Sequence, residues 1–329
     1  MKIAVFSTQP YDRKFLRQAN TTFNHELDFF EARLEIKTAV IAAGFPIVCV
    51  FVNDDVSAQV IKTLAQNGTK MIALRCAGFN NVDLDAAKAN NITVARVPRY
   101  SPYAVAEYTV GMFLSLDRKI HRAWDRVRED NFNLNGLVGR DLHGKTVGVI
   151  GTGHIGSLVA KAFSGFGCNV IAHDAVPNSE LQKIGIPYHG RDEVLRNSDV
   201  LCLHTPLTPE TKHLINAQTI KTLKDGVVIV NTGRGALIDT AALIPALENG
   251  KVRGAALDVY ENEVNLFFKD MSEKIVRDPV FQRLITFPNV LVTGHQAYFT
   301  EEALHSICHT TLNNVAQFRD GKVDPSVLV

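Results

Sequence analysis

Between Lys145 and Asp174 the chain reads KTVGVIGTGHIGSLVAKAFSGFGCNVIAHD, and no other stretch limits the fold as strongly. An apolar run, Thr146 to Ile150, leads straight into Gly151-Thr152-Gly153-His154-Ile155-Gly156. A helix-period segment follows at once, with Leu158, Val159, Ala162 and Phe163 on one side. A second apolar run, Asn169 to Ala172, ends on Asp174, 18 positions past the last glycine. Strand, glycine turn, helix, strand and terminal acid make a dinucleotide-binding βαβ unit, and each part has a physical task. Gly151 permits the tight turn, Gly153 lets the backbone approach a pyrophosphate, and Gly156 lets helix and strand pack closely. The pyrophosphate is expected on the free N–H groups and positive dipole end of the helix. The Asp174 carboxylate suits the two hydroxyls of an adenosine ribose and repels the extra phosphate of NADP. The next residues, Ala175 and Val176, are not basic, so the expected cofactor is NAD.

At 329 residues the chain has room for two domains, each with its own core. Its 35 basic and 34 acidic residues nearly cancel, which leaves no electrostatic footprint for nucleic acid or an anionic membrane. A small molecule is the expected partner. The N-terminal apolar run is too short for a signal-peptide core, and no apolar run approaches a membrane span, so a cytoplasmic location is expected. The five cysteines are scattered singly and read as free thiols in a reducing compartment. His305, Cys308 and His309 have ligand-like spacing on one helix face, but no second cluster completes a metal site, and none is expected.

Along the first hundred residues, Ile3 to Phe6, Ile47 to Val52, Met71 to Leu74 and Ile92 to Val97 read as buried strands. Helical patterns lie between them, including Ser57 to Ala65 and a helix begun by Asp83, and the result is a small parallel α/β domain. Pro102 to Glu129 then predicts one long helix with a proline in its first turn. Beyond the glycine turn, Asp199 to Leu203, Val227 to Val230, Gly254 to Leu257 and Val290 to Val292 read as further strands of a doubly wound sheet of about six. Thr300 to Phe318 is helical and too short to be a domain. The economical arrangement is therefore α/β with the cofactor domain, 101–298, inserted in a discontinuous substrate domain, 1–100 plus 299–329.

In open α/β sheets ligands collect beyond the carboxyl ends of the strands. Three such ends carry chemistry: Asn231-Thr232-Gly233-Arg234 after Val230, Asp258 with Glu261 and Glu263 close behind after Leu257, and Gly294-His295-Gln296 after Val292. Reduction of a carbonyl needs a hydride donor, a proton donor for the developing alkoxide, and a group that holds the substrate in line. A histidine titrates near neutral pH and a neighbouring carboxylate favours its charged form. An arginine fork pairs two-fold with a carboxylate. With a nicotinamide cofactor, these residues add up to a 2-oxo acid reductase.

The motifs GTGHIG, HTPLTPET, NTGRGALID, LDVYENE and TGHQAYFT together resemble the D-2-hydroxyacid dehydrogenase family, with matches through nearly the whole chain. RCAGFNNVDLDAA and RVPRYSPYAVAEYTVG add to the likeness, and the long segment between Glu263 and His295 is similar to that of the D-lactate dehydrogenase branch. The resemblance implies two Rossmann-like domains and NADH-dependent reduction of pyruvate to D-lactate. It implies Arg234 as anchor of the substrate carboxylate and carbonyl, Glu263 as partner of the histidine, and His295 as acid or base. His154, Ile155, Asp174, Thr205, Pro206, Thr211, Thr232, Gly233, Arg234 and Asp258 would line the NAD site, with Asp258 near the nicotinamide amide. Ala77, Gly78 and Tyr100 would complete the carboxylate cradle, and Phe51 and Tyr298 would wall off the substrate side chain, leaving room for a methyl group. A homodimer or homotetramer is implied as well. Two departures are Tyr108, where many relatives carry histidine, and Arg99, where a small residue is usual. The alternatives are a reductase of glyoxylate, hydroxypyruvate or a branched 2-oxo acid, and, from a different class, a non-catalytic NAD-binding module like the family's corepressor branch.

Overall fold

The structure, a computed structural model, describes residues 1–329, the side chain of Asn265 excepted. The chain divides into two compact units, Met1–Ser101 with Phe299–Val329, and Pro102–Tyr298.

The first unit is built on a five-stranded parallel sheet of β1 (Lys2–Val5), β2 (Glu26–Phe29), β3 (Ile47–Val50), β4 (Met71–Leu74) and β5 (Thr93–Ala95), in the order β2-β1-β3-β4-β5. IVCV and MIAL are buried along their whole length, as strands covered on both faces must be. The edge strand β2, ELDF, is only partly buried and gave no apolar run to read. The helix Pro10–Phe23, begun by a proline and a reciprocal Gln9–Asp12 capping box, was equally silent in the sequence. The final helix, Glu301–Arg319, packs on Pro10–Phe23 and on β4. His305 and His309 serve that packing, edge-on against Phe15 and Phe23. Among the described residues no group of three His, Cys, Asp or Glu could hold a metal ion.

The second unit carries a six-stranded parallel sheet: β6 (Thr146–Ile150), β7 (Asn169–His173), β8 (Val200–Leu203), β9 (Val227–Asn231), β10 (Val252–Leu257) and β11 (Val290–Val292), in the order β11-β10-β9-β8-β6-β7. Side chains alternate between two cores. Leu201, Leu203, Val227 and Ile229 enter one, while Val200, Cys202, Val228 and Val230 enter the other, with Phe163 and Phe113. The chain runs from β6 outward to β7 and then crosses back to β8, so the switch point lies between β6 and β8.

The long helix expected over 102–129 is two helices, Pro102–Asp117 and Ile120–Arg128, separated by Lys119 in the left-handed region at φ 54°. The break has a tertiary cause. Asp117 is buried and holds the Arg140 guanidinium at 2.8 Å, and the backbone at Gly139 lies so close that a Cβ there would be 2.7 Å from the Asp117 carbonyl oxygen. A returning segment thus occupies the space that a continuing helix would need. No described helix is long and apolar enough to cross a membrane, and all five cysteines are free.

Candidate active site

The glycine turn assigns its three glycines unlike tasks. Gly151 sits at φ +90°, and a Cβ there would meet the carbonyl carbon and oxygen of His204 and the Thr205 nitrogen at 2.6 Å. Gly156, in the helix His154–Gly165, would drive a Cβ into the Gly151 carbonyl oxygen. Both are packing requirements. Gly153 is different: it is the N-cap of that helix, makes no side-chain cap, and has nothing within 4 Å of a Cβ position. Bare backbone at an uncapped helix N-terminus fits a pyrophosphate.

Asp174 follows β7, as its place in the motif requires. Its Oδ2 accepts the Thr152 backbone N–H and, at 3.2 Å, the Thr152 hydroxyl, while Oδ1 accepts the Val176 N–H at 3.1 Å. Tyr188 donates its hydroxyl to Thr152 Oγ1 at 2.8 Å, and the Asn178 amide reaches the Thr152 carbonyl at 3.2 Å. Thr152, Asn178 and Tyr188 were not singled out from sequence, and only Thr152 stood inside a recognisable motif. After β8 come Thr205 and Pro206. Thr211 braces their loop by donating to the Pro206 carbonyl at 2.6 Å and accepting the Thr208 N–H at 2.7 Å. His204 is half-buried. Its Nε2 is buried without a partner, and burial pushes the imidazole down to about 4.

Three further strand ends carry the polar side chains. Asn231, fully buried at the end of β9, receives the Gly233 N–H at 3.0 Å and donates to the Arg234 carbonyl at 2.9 Å. That brace fixes the loop bearing Thr232, Gly233 and Arg234. Thr232 is further tied to Thr109 by a 2.7 Å hydroxyl contact. The half-buried Arg234 directs Nη1 to the Gly233 carbonyl at 2.9 Å. Gly235 packs directly on the Tyr260 carbonyl with no space for a Cβ, which seats this loop against the turn that carries Glu263.

Asp258, at the end of β10, is completely buried. Its backbone carbonyl accepts the His295 N–H at 2.7 Å, and its carboxylate accepts Gln296 N–H at 2.9 Å, Ala297 N–H at 2.8 Å and the Thr293 hydroxyl. Burial raises its pKa and these bonds oppose the rise. Asp258 is thus a brace for 293–297. His295 itself adopts φ 56°, an uncommon conformation for a non-glycine residue, and Glu263 Oε1 lies 2.7 Å from its Nδ1. Glu263 Oε2 accepts the Tyr260 N–H at 3.0 Å, so the carboxylate is itself held in place. Glu261, two residues earlier, goes elsewhere: it meets His213 Nε2 at 3.1 Å and the Thr240 N–H at 3.0 Å. With Nδ1 engaged by Glu263, Nε2 is the imidazole atom left for proton transfer. The departure noted at Tyr108 also lands here, since the Gln296 amide donates to its hydroxyl at 2.7 Å.

The second unit therefore holds Arg234, Glu263, His295, Tyr298 and every candidate cofactor residue. Phe51, Ala77, Gly78 and Tyr100 belong to the first unit. There the Arg96 guanidinium takes the Ala77 carbonyl at 2.9 Å, and the Cys76 thiol takes that of Gly78 at 3.2 Å. Phe51 lies against the buried Arg75 guanidinium, 5.2 Å from ring centroid to cation.

Comparisons with known proteins agree with this arrangement. The family model described as "D-isomer specific 2-hydroxyacid dehydrogenase, NAD binding domain" matches residues 110–297. The "2-hydroxyacid dehydrogenase homolog 1" of Schizosaccharomyces pombe is 59% identical over 330 residues, covering 100% of this chain and 99% of that protein. Escherichia coli D-lactate dehydrogenase is 51% identical over 329 residues, 100% of both chains. Among solved structures, one reported as the pyruvate reductase of Chlamydomonas reinhardtii superposes with a TM-score of 0.94 at 44% identity, covering 98% of this chain and 97% of that one.

Proposed function

The chain belongs to the NAD-dependent D-isomer specific 2-hydroxyacid dehydrogenase family, and from that membership we propose that it reduces pyruvate to D-lactate, reversibly, with NADH. The observation that carries the proposal is the His295–Glu263 pair at 2.7 Å, seated beside the Arg234 loop at the carboxyl ends of one sheet. Relatives whose printed names specify D-lactate dehydrogenase or pyruvate reductase support the choice of substrate.

In this reading Gly151, Gly153, His154, Ile155, Gly156, Asp174, Thr205, Pro206, Thr211, Thr232, Gly233 and Asp258 hold the dinucleotide, which when bound supplies the hydride. Arg234 grips the keto acid through its two-pronged guanidinium. His295 gives its Nε2 proton to the carbonyl oxygen as that oxygen gains charge, and it takes the proton back in the reverse direction. Glu263 fixes which imidazole nitrogen faces the substrate. Ala77, Gly78, Tyr100 and Phe51 are the first unit's share of substrate recognition, which makes that unit the substrate domain. Tyr298 and Phe51 limit the side chain to a methyl group.

The chain also forms a homodimer or homotetramer in this reading. Helix Ile120–Arg128 buries none of its residues, and Ile120, Trp124 and Val127 are each more than half exposed on one helical stripe. A monomeric mass by light scattering at micromolar concentration would remove that element.

The test of the reaction is a chiral assay of the product formed from pyruvate and NADH, alongside turnover on phenylpyruvate and 2-oxoisocaproate. D-lactate, lost on His295→Ala, supports the assignment. Faster turnover of the larger acids would replace pyruvate as substrate, and binding of NADH without turnover of any 2-oxo acid would remove the catalytic reading.

A further inference from the structure

Among the described residues, two side chains reach His295 from the segment that follows β10. Glu263 comes from the single 3-10 turn Glu263–Asn265 and holds Nδ1. Phe268, five residues on, sets its ring centroid 5.7 Å from that of the imidazole, the planes tilted by 41°. To get there Phe268 adopts φ 61°, a left-handed conformation that a bulky side chain avoids. Its neighbour Phe267 is buried and packs edge-on to Phe281, 6.0 Å away, and Phe281 in turn meets Tyr260 at 5.1 Å. The Tyr260 hydroxyl donates to Asp278 at 2.9 Å, and the Lys269 ammonium closes the turn on the Val264 carbonyl at 3.2 Å. Strain of this kind persists only where the surroundings over-determine it. Here an aromatic cluster anchors Phe267, so that the next residue is thrown the other way, onto the imidazole.

We propose that Phe268 is a positioning residue for His295: it covers one side of the imidazole, keeps it aligned on Glu263, and favours the protonated form through the negative face of its ring. The proposal rests on the acid/base role of His295 given above. Among the described residues, the charged groups next to the pair include Glu263, Asp258 and Lys269. The Glu263 carboxylate faces Nδ1. The Asp258 carboxylate is turned to the Gln296 and Ala297 N–H groups and meets His295 through its backbone carbonyl. Lys269 is directed to Val264. In this proposal the tilted ring beside the imidazole adds to the effect of Glu263, and its removal also lets water weaken the Glu263–His295 contact. Both effects favour loss of the proton.

Steady-state reduction of pyruvate by NADH between pH 5 and 9 tests this in the full-length enzyme, with Phe268→Ala, Phe268→Leu and Phe268→Trp beside the parent and His295→Ala. For Phe268→Ala the alkaline midpoint of the kcat/KM profile is expected about half a pH unit lower, the shift that a partly exposed cation–aromatic contact supports. Above the midpoint kcat/KM falls about threefold, while NADH affinity and melting temperature stay at parental values. Phe268→Trp keeps the parental midpoint, and Phe268→Leu, which restores bulk without a π face, shares that of alanine. An unmoved midpoint in Phe268→Ala, or a parental one in Phe268→Leu, overturns the role of Phe268. Absence of pyruvate turnover in the parent, or its survival in His295→Ala, strikes instead at the reaction assigned to the site.

Discussion

Replacing Gly153 by alanine separates the cofactor-facing task of the glycine turn from its packing task, with Gly151→Ala as the contrast. At Gly153 the backbone lies at φ −63° and the Cβ would enter open space, so folding should be almost indifferent, within about 1 kcal/mol. At Gly151 the backbone is at φ +90° and the new Cβ would sit 2.6 Å from three backbone atoms of His204 and Thr205, where ordinary contacts begin at 3.4 Å. The left-handed conformation costs about 1–2 kcal/mol and the overpacking about 1–3 kcal/mol more. Urea denaturation should therefore show Gly151→Ala destabilised by roughly 2–5 kcal/mol and Gly153→Ala close to parental. Fluorescence titration with NADH should reverse the ranking among folded proteins. If the pyrophosphate approaches the backbone at Gly153, the extra methyl lies in its path, and an overpacking cost of about 1–3 kcal/mol weakens Kd by roughly 5- to 150-fold. An unaltered NADH affinity in Gly153→Ala would refute the idea that the cofactor makes its close approach there.

Glu263→Gln keeps a hydrogen-bond acceptor for His295 Nδ1 but removes the charge. We expect kcat for pyruvate to fall about 10- to 100-fold with little change in melting temperature, and an undiminished kcat would dismiss Glu263 as the histidine's partner. Arg234→Lys should raise the pyruvate KM about tenfold or more, because an ammonium cannot reproduce the paired geometry. An unchanged KM would remove the anchoring role. His204, held near 4 by burial, contributes stability as the neutral imidazole. That contribution is complete above the unfolded value of about 6.5 and is lost as pH falls toward 4, a change of about 3 kcal/mol. Urea midpoints for His204→Gln should accordingly decline less between pH 7 and 4.5 than those of the parent, and parallel declines would show the group to be uninvolved.

The features that could be read along the chain are those whose cause is local. The glycine turn and Asp174 lie within 30 residues, and the strands announce themselves because a parallel sheet covered on both faces needs uninterrupted apolar runs. The half-exposed β2 has no such run. The end of the helix at Asp117 is decided by Arg140, 23 residues away, so the apolar period continued past the break without warning. Glu261 and Glu263 are indistinguishable by spacing alone after β10; the family resemblance singles out Glu263, and the folded turn brings one to His213 and the other to His295. Phe268 carried no signal, because its place on the imidazole depends on an aromatic cluster assembled from residues 260, 267 and 281.

The sequence motif casts Asp174 as a reader of the ribose, yet the same carboxylate accepts the backbone and side chain of Thr152. An engineer who swaps it for a small neutral residue to admit a phosphorylated cofactor also unlatches the turn through which any dinucleotide must be bound. On the proposed assignment selectivity and scaffold share a single side chain, so a change of cofactor taste in this enzyme calls for a second substitution that gives Thr152 a new acceptor.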